Sequence, residues 1–318
     1  MRKIYWILIA APALIFPFTM EISFYVHIAI MCFYYAVLAS SWNLVSGYAG
    51  QFSFAQAAFA GVGAYTSALL VLYTGIPIVA GILVAGAFVA AIGYGLGYVC
   101  LRMRGPYLAL TTLGFSETVR QIFLIEYPIT RGSMGLTVEP LFQTTSRVPY
   151  YFVMLGIFVV SLYAIHRIIN SRMGLFLKAL REDEDAASIM GVDTRRVKTT
   201  IFATSGFFAG IAGGFYAHYI QMLNPNIMLL TEMGIIVAMT VIGGLGSFIG
   251  PIAGAFLVEI FGEYVRFTYA EYHLVVLGAA VVFIIRFGRE GLVKLFENQM
   301  KRVITHLQHS RTSLKTAV

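Results

Sequence analysis

The stretch SRMGLFLKALREDEDAASIMGVDTRRVK, residues 171–198, decides how this chain is read. It sets Arg172, Lys178, Arg181, Arg195, Arg196 and Lys198 around the acidic run Glu182-Asp183-Glu184-Asp185. Charge at that density cannot lie in hydrocarbon, so the segment faces water. Within it, Glu182–Met190 reads as a short helix. Its acidic side chains crowd the first turn, where the helix dipole favours them, and Gly191 is placed to end it. Ala186, Ala187 and Met190 give this helix a small apolar face, suited to close approach by a partner groove.

Everything around that loop reads as membrane. The 318 residues are 59% hydrophobic and only 12% charged, with a mean hydropathy of +0.80. Soluble domains carry about 25% charged residues, so a soluble globule is excluded. The expected fold class is all-α, a polytopic transmembrane helical bundle of about ten spans. The apolar windows are Ile4–Met20, Ile22–Leu44, Phe52–Tyr73, Pro77–Leu101, Tyr107–Glu126, Tyr150–Ile169, Thr199–Gln221, Met228–Ile242, Ile249–Tyr264 and Tyr272–Ile285. The last three are short, which suits broken, tilted or re-entrant segments. Met1-Arg2-Lys3 before Ile4–Phe18 imitates a secretory signal, but Pro12 spoils the cleavage site and an uncleaved first helix is expected.

Basic residues orient this bundle. With the N-terminus cytoplasmic and every span crossing, Arg2, Lys3, Arg102, Arg104, the group from Arg167 to Lys198 and everything from Arg286 onward fall on one side. Only Arg131, Arg147 and Arg266 fall opposite and Arg120 lies within a span, leaving 18 of 22 Lys and Arg on the cytoplasmic side. That asymmetry puts both termini inside. Residues 1–287 are then the transmembrane domain and 288–318 a basic cytoplasmic tail facing anionic lipid. The net charge of +7 belongs to those loops and does not point to nucleic acid. Residues 127–149, rich in Gly, Pro and Thr, read equally as an external platform or a plain connector.

Three polar zones interrupt the spans. In Ser40–Tyr65, Gly47 and Gly50 break a helix, and Gln51, Ser53 and Gln56 enter the next one between Phe52, Phe54 and Phe59. Such a break packs helices closely through small residues, and it also exposes polar groups to a translocation path. Gly243-x-x-Gly246-x-Phe248 echoes Gly47-x-x-Gly50-x-Phe52 and suggests a faint internal duplication with both copies in the same orientation. Glu117 and Arg120, an intramembrane polar pair at i and i+3, share a helix face and read as an inter-helix polar clamp or as part of a pathway or gate. Glu232, Glu259 and Glu263 read as unaccompanied nearby in sequence, the last two at the outer interface. No phosphate-binding loop of the G-x-x-x-x-G-K-[ST] type occurs, nor H-E-x-x-H or paired-Cys metal spacing, so neither a metal site, ATP binding nor enzymatic chemistry is expected of this chain.

Five segments, in order, resemble the LivM-type permeases of branched-chain amino acid ABC importers. They are SWNLVSGYAGQFSFAQAAFAGVGAY, YLALTTLGFSETVRQIF, TRGSMGLT, GLFLKALREDEDAASIMGVDTRRVK and VIGGLGSFIGPIAGAFL. The resemblance implies a permease of the bacterial inner membrane that pairs with a second, homologous permease. It also implies two cytoplasmic ATPases that hold ATP and Mg, and a periplasmic substrate-binding protein. Asp185-Ala186-Ala187 through Gly191 matches the family's coupling element, with Asp for the usual Glu. The resemblance thus makes Glu182, Asp183, Glu184, Asp185, Ala186, Ala187, Met190 and Gly191 the ATPase-coupling residues. Gln51, Phe52, Ser53, Phe54, Gln56 and Phe59 are candidate path residues. Urea or amides as cargo, or an ion-gradient-driven transporter using Glu117 and Arg120, are the alternative expectations; an intramembrane enzyme or a scaffold is the rival of another class.

Overall fold

The computed structural model describes residues 16–17, 23–100, 103–268 and 278–279. Apart from Phe16, Pro17, Gly278 and Ala279, the expected spans Ile4–Met20 and Tyr272–Ile285 lie outside the described residues, as does the tail 288–318. In chain order the helices are α1 Ser23–Asn43, α2 Gln56–Thr74, α3 Ile78–Val99, α4 Pro106–Ile125, α5 Val148–Ile169, α6 Arg172–Glu182, α7 Glu184–Ile189, α8 Thr194–Ile220, α9 Leu230–Gly243 and α10 Gly250–Thr268. A π-helical turn, Leu44–Tyr48, continues α1. Strands β1, Leu136–Thr137, and β2, Met222–Leu223, pair antiparallel.

Helix is the only economical backbone for such apolar runs, because lipid offers no partner to free N–H and C=O groups. Five of these helical stretches, Ser23–Tyr48, Gln56–Thr74, Ile78–Val99, Val148–Ile169 and Thr194–Ile220, are long and apolar enough to cross a membrane. The chain is an all-α, multi-pass membrane protein. Of the other apolar helices, α9 is shorter, and α4 and α10 carry charge at Glu117, Arg120, Glu259, Glu263 and Arg266.

Two expected boundaries move. The span expected from Phe52 starts at Gln56, because residues 50–55 run back from the π-turn outside any helix. The span expected from Thr199 starts at Thr194, where the Asp193 carboxylate accepts from Arg196 N at 3.1 Å and caps α8. Arg195, Arg196 and Lys198 are therefore helical and not part of a loose loop.

Helix α8 is the central post, packed most extensively on α3 and α2 and also on α1. Helix α1 in turn packs on α5, α9 and α10. Close approach depends on glycine. A side chain on Gly63 of α2 would collide with the Gly210 backbone of α8, and one on Gly213 with Ala60. Without a water-driven hydrophobic force between helices in lipid, this contact of backbone on backbone supplies the packing. The same device closes the α9–α10 hairpin, where a side chain on Gly254 would strike Met239.

Candidate functional site

The charged loop folds as two short helices. Ser171 caps α6 by accepting from Met173 N, and Asp183 caps α7 by accepting from Asp185 N at 2.8 Å and Ala186 N at 3.0 Å. Gly191, at φ +86°, carries the chain out of α7 in a left-handed conformation that suits glycine. This corrects one expectation. Glu182 is the last residue of α6, not the first of the coupling helix, because the Asp183 side chain takes the capping position and breaks the backbone there.

The faces of α7 are also redistributed. Ala187 is buried, while Ile189 and Met190 stand 85% and 84% exposed beside exposed Asp183, Asp185, Ala186 and Ser188. The expected apolar face through Ala186, Ala187 and Met190 therefore splits. Ala187 packs inward and the outward apolar tip is Ile189-Met190.

Two cations from other elements root α7 in the bundle. Lys198 of α8, 2% exposed, brings its Nζ to 2.7 Å from Glu184 Oε1, an ion pair without the alignment of a good hydrogen bond. Glu184 is itself only 13% exposed. Arg104, in the α3–α4 connection, donates from Nη1 and Nη2 to the two carboxylate oxygens of Asp185 at 2.7 Å each, with its Nε 3.4 Å from Glu184. This bidentate bonding holds the Asp185 carboxyl below the usual carboxylate range. In sequence both cations read as solvated charge. For Lys198 that is corrected: its ammonium is buried against Glu184. Separations of 14 residues and 81 residues leave no local pattern to announce either pairing.

Above α7 lies a junction built from both glycine breaks. Asn43, at the end of α1, accepts from Gly246 N at 2.9 Å and donates to Ser247 O at 2.8 Å. A side chain on Gly47 would press within 2.7 Å of Gly246 N. The two echoing motifs thus lie against each other. Each follows a helix, α1 or α9, that runs toward the face carrying α7, and each precedes a helix running away from it.

The polar residues of the first break point inward. Gln56 donates from Nε2 to Ser41 Oγ at 2.7 Å and accepts at Oε1 from Ser205 Oγ at 2.9 Å, joining α2, α1 and α8. Trp42 Nε1 donates to Ser53 O at 2.6 Å, and Gln51 Nε2 approaches Ala49 O at 3.5 Å. Gln51, Ser53, Gln56 and Phe59 are buried, Phe59 with its ring 6.0 Å from that of Phe115. Phe52 and Phe54 are half-buried, and Phe54 N donates to Thr112 Oγ1 of α4.

Glu117 and Arg120 form a two-point pair on α4, Nε to Oε2 at 2.9 Å and Nη2 to Oε1 at 2.6 Å, joined by Gln121 Nε2 at 2.8 Å. All three groups belong to one helix, so the clamp is along α4, not between helices. Glu232 accepts from Tyr35 OH at 3.1 Å. Glu263, expected to stand alone, is corrected: it pairs at 2.5 Å with Arg266, three residues on along α10. The connector 127–149 pairs through β1 with β2 and lines a cavity of about 540 Å³ with His27, Tyr150 and Tyr219. Among the described residues, no group of three His, Cys, Asp or Glu could hold a metal ion.

The chain is similar along most of its length to known transport proteins. It is 32% identical to the high-affinity branched-chain amino acid transport system permease protein LivM of Escherichia coli, over 94% of this chain and 77% of that one. Its identity to LivM of Salmonella typhimurium is 33%, over 87% and 71%. To LivH of E. coli, a permease of the same named system, it is 28% identical over 71% and 80%. No solved structure matches it. Residues 24–285 match the family described as branched-chain amino acid transport system, permease component, so this chain, with its two glycine breaks joined above a charged, outward-tipped loop, belongs to that family.

Proposed function

We propose that the chain is the LivM-type permease subunit of an ATP-driven importer for branched-chain or other hydrophobic amino acids. The observation that carries this reading is the family match across 24–285, joined to a loop whose rooted base and free apolar tip suit a partner. In this reading the chain sits in a bacterial inner membrane with α7 and both termini cytoplasmic, and forms the path with a LivH-like second permease.

Helix α7 is the coupling helix. Asp183, Glu184 and Asp185 set its start and its anchorage, Ala187 seats it, and Gly191 ends it. Ile189 and Met190 enter an ATPase groove, the way an amphipathic helix offers its apolar residues to a cleft. ATP and Mg are held by two partner ATPases, and binding-protein docking falls to the 127–149 connector on the opposite face. ATP-driven closure then moves α7, and differential contacts in the two states supply the work.

For the path, Phe52 and Phe54 are the residues that meet an apolar side chain, with Gln51, Ser53, Gln56 and Phe59 holding the bend behind them. Glu117 and Arg120 neutralise one another on the surface of α4, at a depth where an unpaired charge costs about 2.5–3.5 kcal/mol.

The test is uptake into proteoliposomes. This chain, a LivH-like permease, the ATPases and the binding protein should together import labelled leucine, isoleucine or valine only with ATP inside the ATPase-facing compartment. Gradient-driven uptake by this chain alone would overturn the reading. ATP-dependent import of urea or amides, without leucine, would keep the transporter class and replace the cargo.

A further inference from the structure

Arg181 closes the last turn of α6 and is itself exposed, and its side chain lies along the edge of the glycine junction. Its Nη1 donates to Gly47 O at 2.8 Å. A Cβ on Gly50 would lie 3.2 Å from its Cγ, and a Cβ on Gly246 would lie 2.5 Å from its Nη1. One side chain therefore touches the break after α1 and the break after α9. Both Gly50, at φ +69°, and Gly246, at φ +74°, turn the chain left-handedly beside it.

The placement is favourable for a cation. The junction collects the C-terminal ends of α1 and α9, where unpaired carbonyls carry the negative end of each helix dipole. Among the described residues no carboxylate forms an ion pair with Arg181. Its charge is met by the Gly47 backbone oxygen, and the same Nη1 lies against Gly246. Asn43 completes the joint by tying Gly246 and Ser247 to the end of α1. Of the basic residues in the 171–198 loop, Arg181 is the one that hydrogen-bonds a glycine break.

We propose that Arg181 is the positioning residue that carries motion of the α6–α7 loop into the transmembrane helices. It locks the loop to the ends of α1 and α9 together. This rests on the reading of α7 as the ATPase-facing helix. The glycine breaks are the ends of two hairpins, α1–α2 and α9–α10, so a displacement of α6 pulls both at once. Lysine would keep the charge at the helix ends but not the flat guanidinium that lies against Gly246 while it donates to Gly47.

The experiment uses the assembled importer, permease pair with ATPases and binding protein, in proteoliposomes. Arg181→Gln and Arg181→Lys should retain the ATPases on the purified complex. Amino acid imported per ATP hydrolysed should fall on the order of tenfold, less in Arg181→Lys than in Arg181→Gln. Spin labels at Lys178→Cys and Ile249→Cys give a readout that mere stability would not move. Their separation should stay constant between nucleotide-free and ATP-trapped complexes with Arg181, and should change between those states without it.

Wild-type transport per ATP in Arg181→Gln, or an unchanged label separation in that variant, would overturn the proposal. Loss of ATPase retention in both variants would overturn it too, because Arg181 would then serve loop folding. If the unaltered complex retained no ATPase, the proposed function itself would fall, and this inference with it.

Discussion

Two polar stretches interrupt this apolar chain, and they are built in opposite senses. Residues 40–56 turn their amides and hydroxyls inward, where Gln56, Ser41 and Ser205 satisfy one another across three helices. Residues 171–198 bury their root, the Lys198–Glu184 pair, and show their tip, Ile189 and Met190. The first pattern is that of a structural pin: buried polar groups cost stability unless bonded, and Gln56, Ser41 and Ser205 are bonded. The second is that of a contact surface, because two large apolar side chains are left in water next to carboxylates already engaged elsewhere. Polarity in sequence is the same signal in both; the direction of the side chains separates them.

The largest effect should come from breaking the root of the loop. Lys198→Met leaves Glu184 without its nearest cation in a poorly solvated site, a loss of about 3 kcal/mol, the low end for a broken buried pair. Limited proteolysis within 171–198 should accelerate accordingly, and the pair Lys198→Met with Glu184→Leu should restore most of the protection. An unchanged cleavage rate would mean that the root contributes nothing.

At the tip, Ile189→Asp with Met190→Asp should weaken ATPase association by about 2 kcal/mol or more, the loss typical of buried apolar anchors. Membrane insertion and thermal stability should not change, since both side chains are already exposed. Titration of ATPase onto the permease pair measures it; equal affinity would show that the tip is not the contact.

Within the inward stretch, Gln56→Leu should destabilise the permease by about 1–2 kcal/mol, the cost of buried hydroxyls left without their partner. Thermal unfolding in detergent reads this. Phe54→Ala should lower leucine uptake more than stability. The reverse order of effects for these two residues would exchange pin and path.

The smallest effect is that of pH on the Arg104–Asp185 bond. Arginine bonding lowers the Asp185 pKa, so its contribution is present above the unfolded value of about 3.9 and is lost as pH falls through the lower folded value. Retention of α7, followed by the proteolysis rate of the loop, should be flat from about pH 8 to 5 on this account. A transition near neutral pH would assign the tether to another group.

Much of the fold was legible because lipid imposes it. An apolar run of about 20 residues has few options besides helix, and the windows from Ile22 to Tyr264 in their order each overlap one helix of the structure. The boundaries that moved did so through single side chains, Asp183 and Asp193 as caps, and through the non-helical bend over residues 50–55. The glycine echo was legible as a pattern, while its meaning, two breaks pressed together at Asn43 and Arg181, required the packing of α1 beside α9. Glu117 and Arg120 were read together from an i, i+3 spacing, since that interaction is local.

The sequence by itself determined that this chain is a bundle of membrane helices with one charged, water-facing loop, because composition and period are properties of the chain alone. Only the tertiary structure decided which of the loop's residues are root and which are tip. Lys198 meets Glu184, Arg104 meets Asp185 and Arg181 meets Gly47 over separations that no local pattern encodes. Those pairings exist because α8, the α3–α4 connection and the end of α1 converge on one face, and convergence is a property of packing.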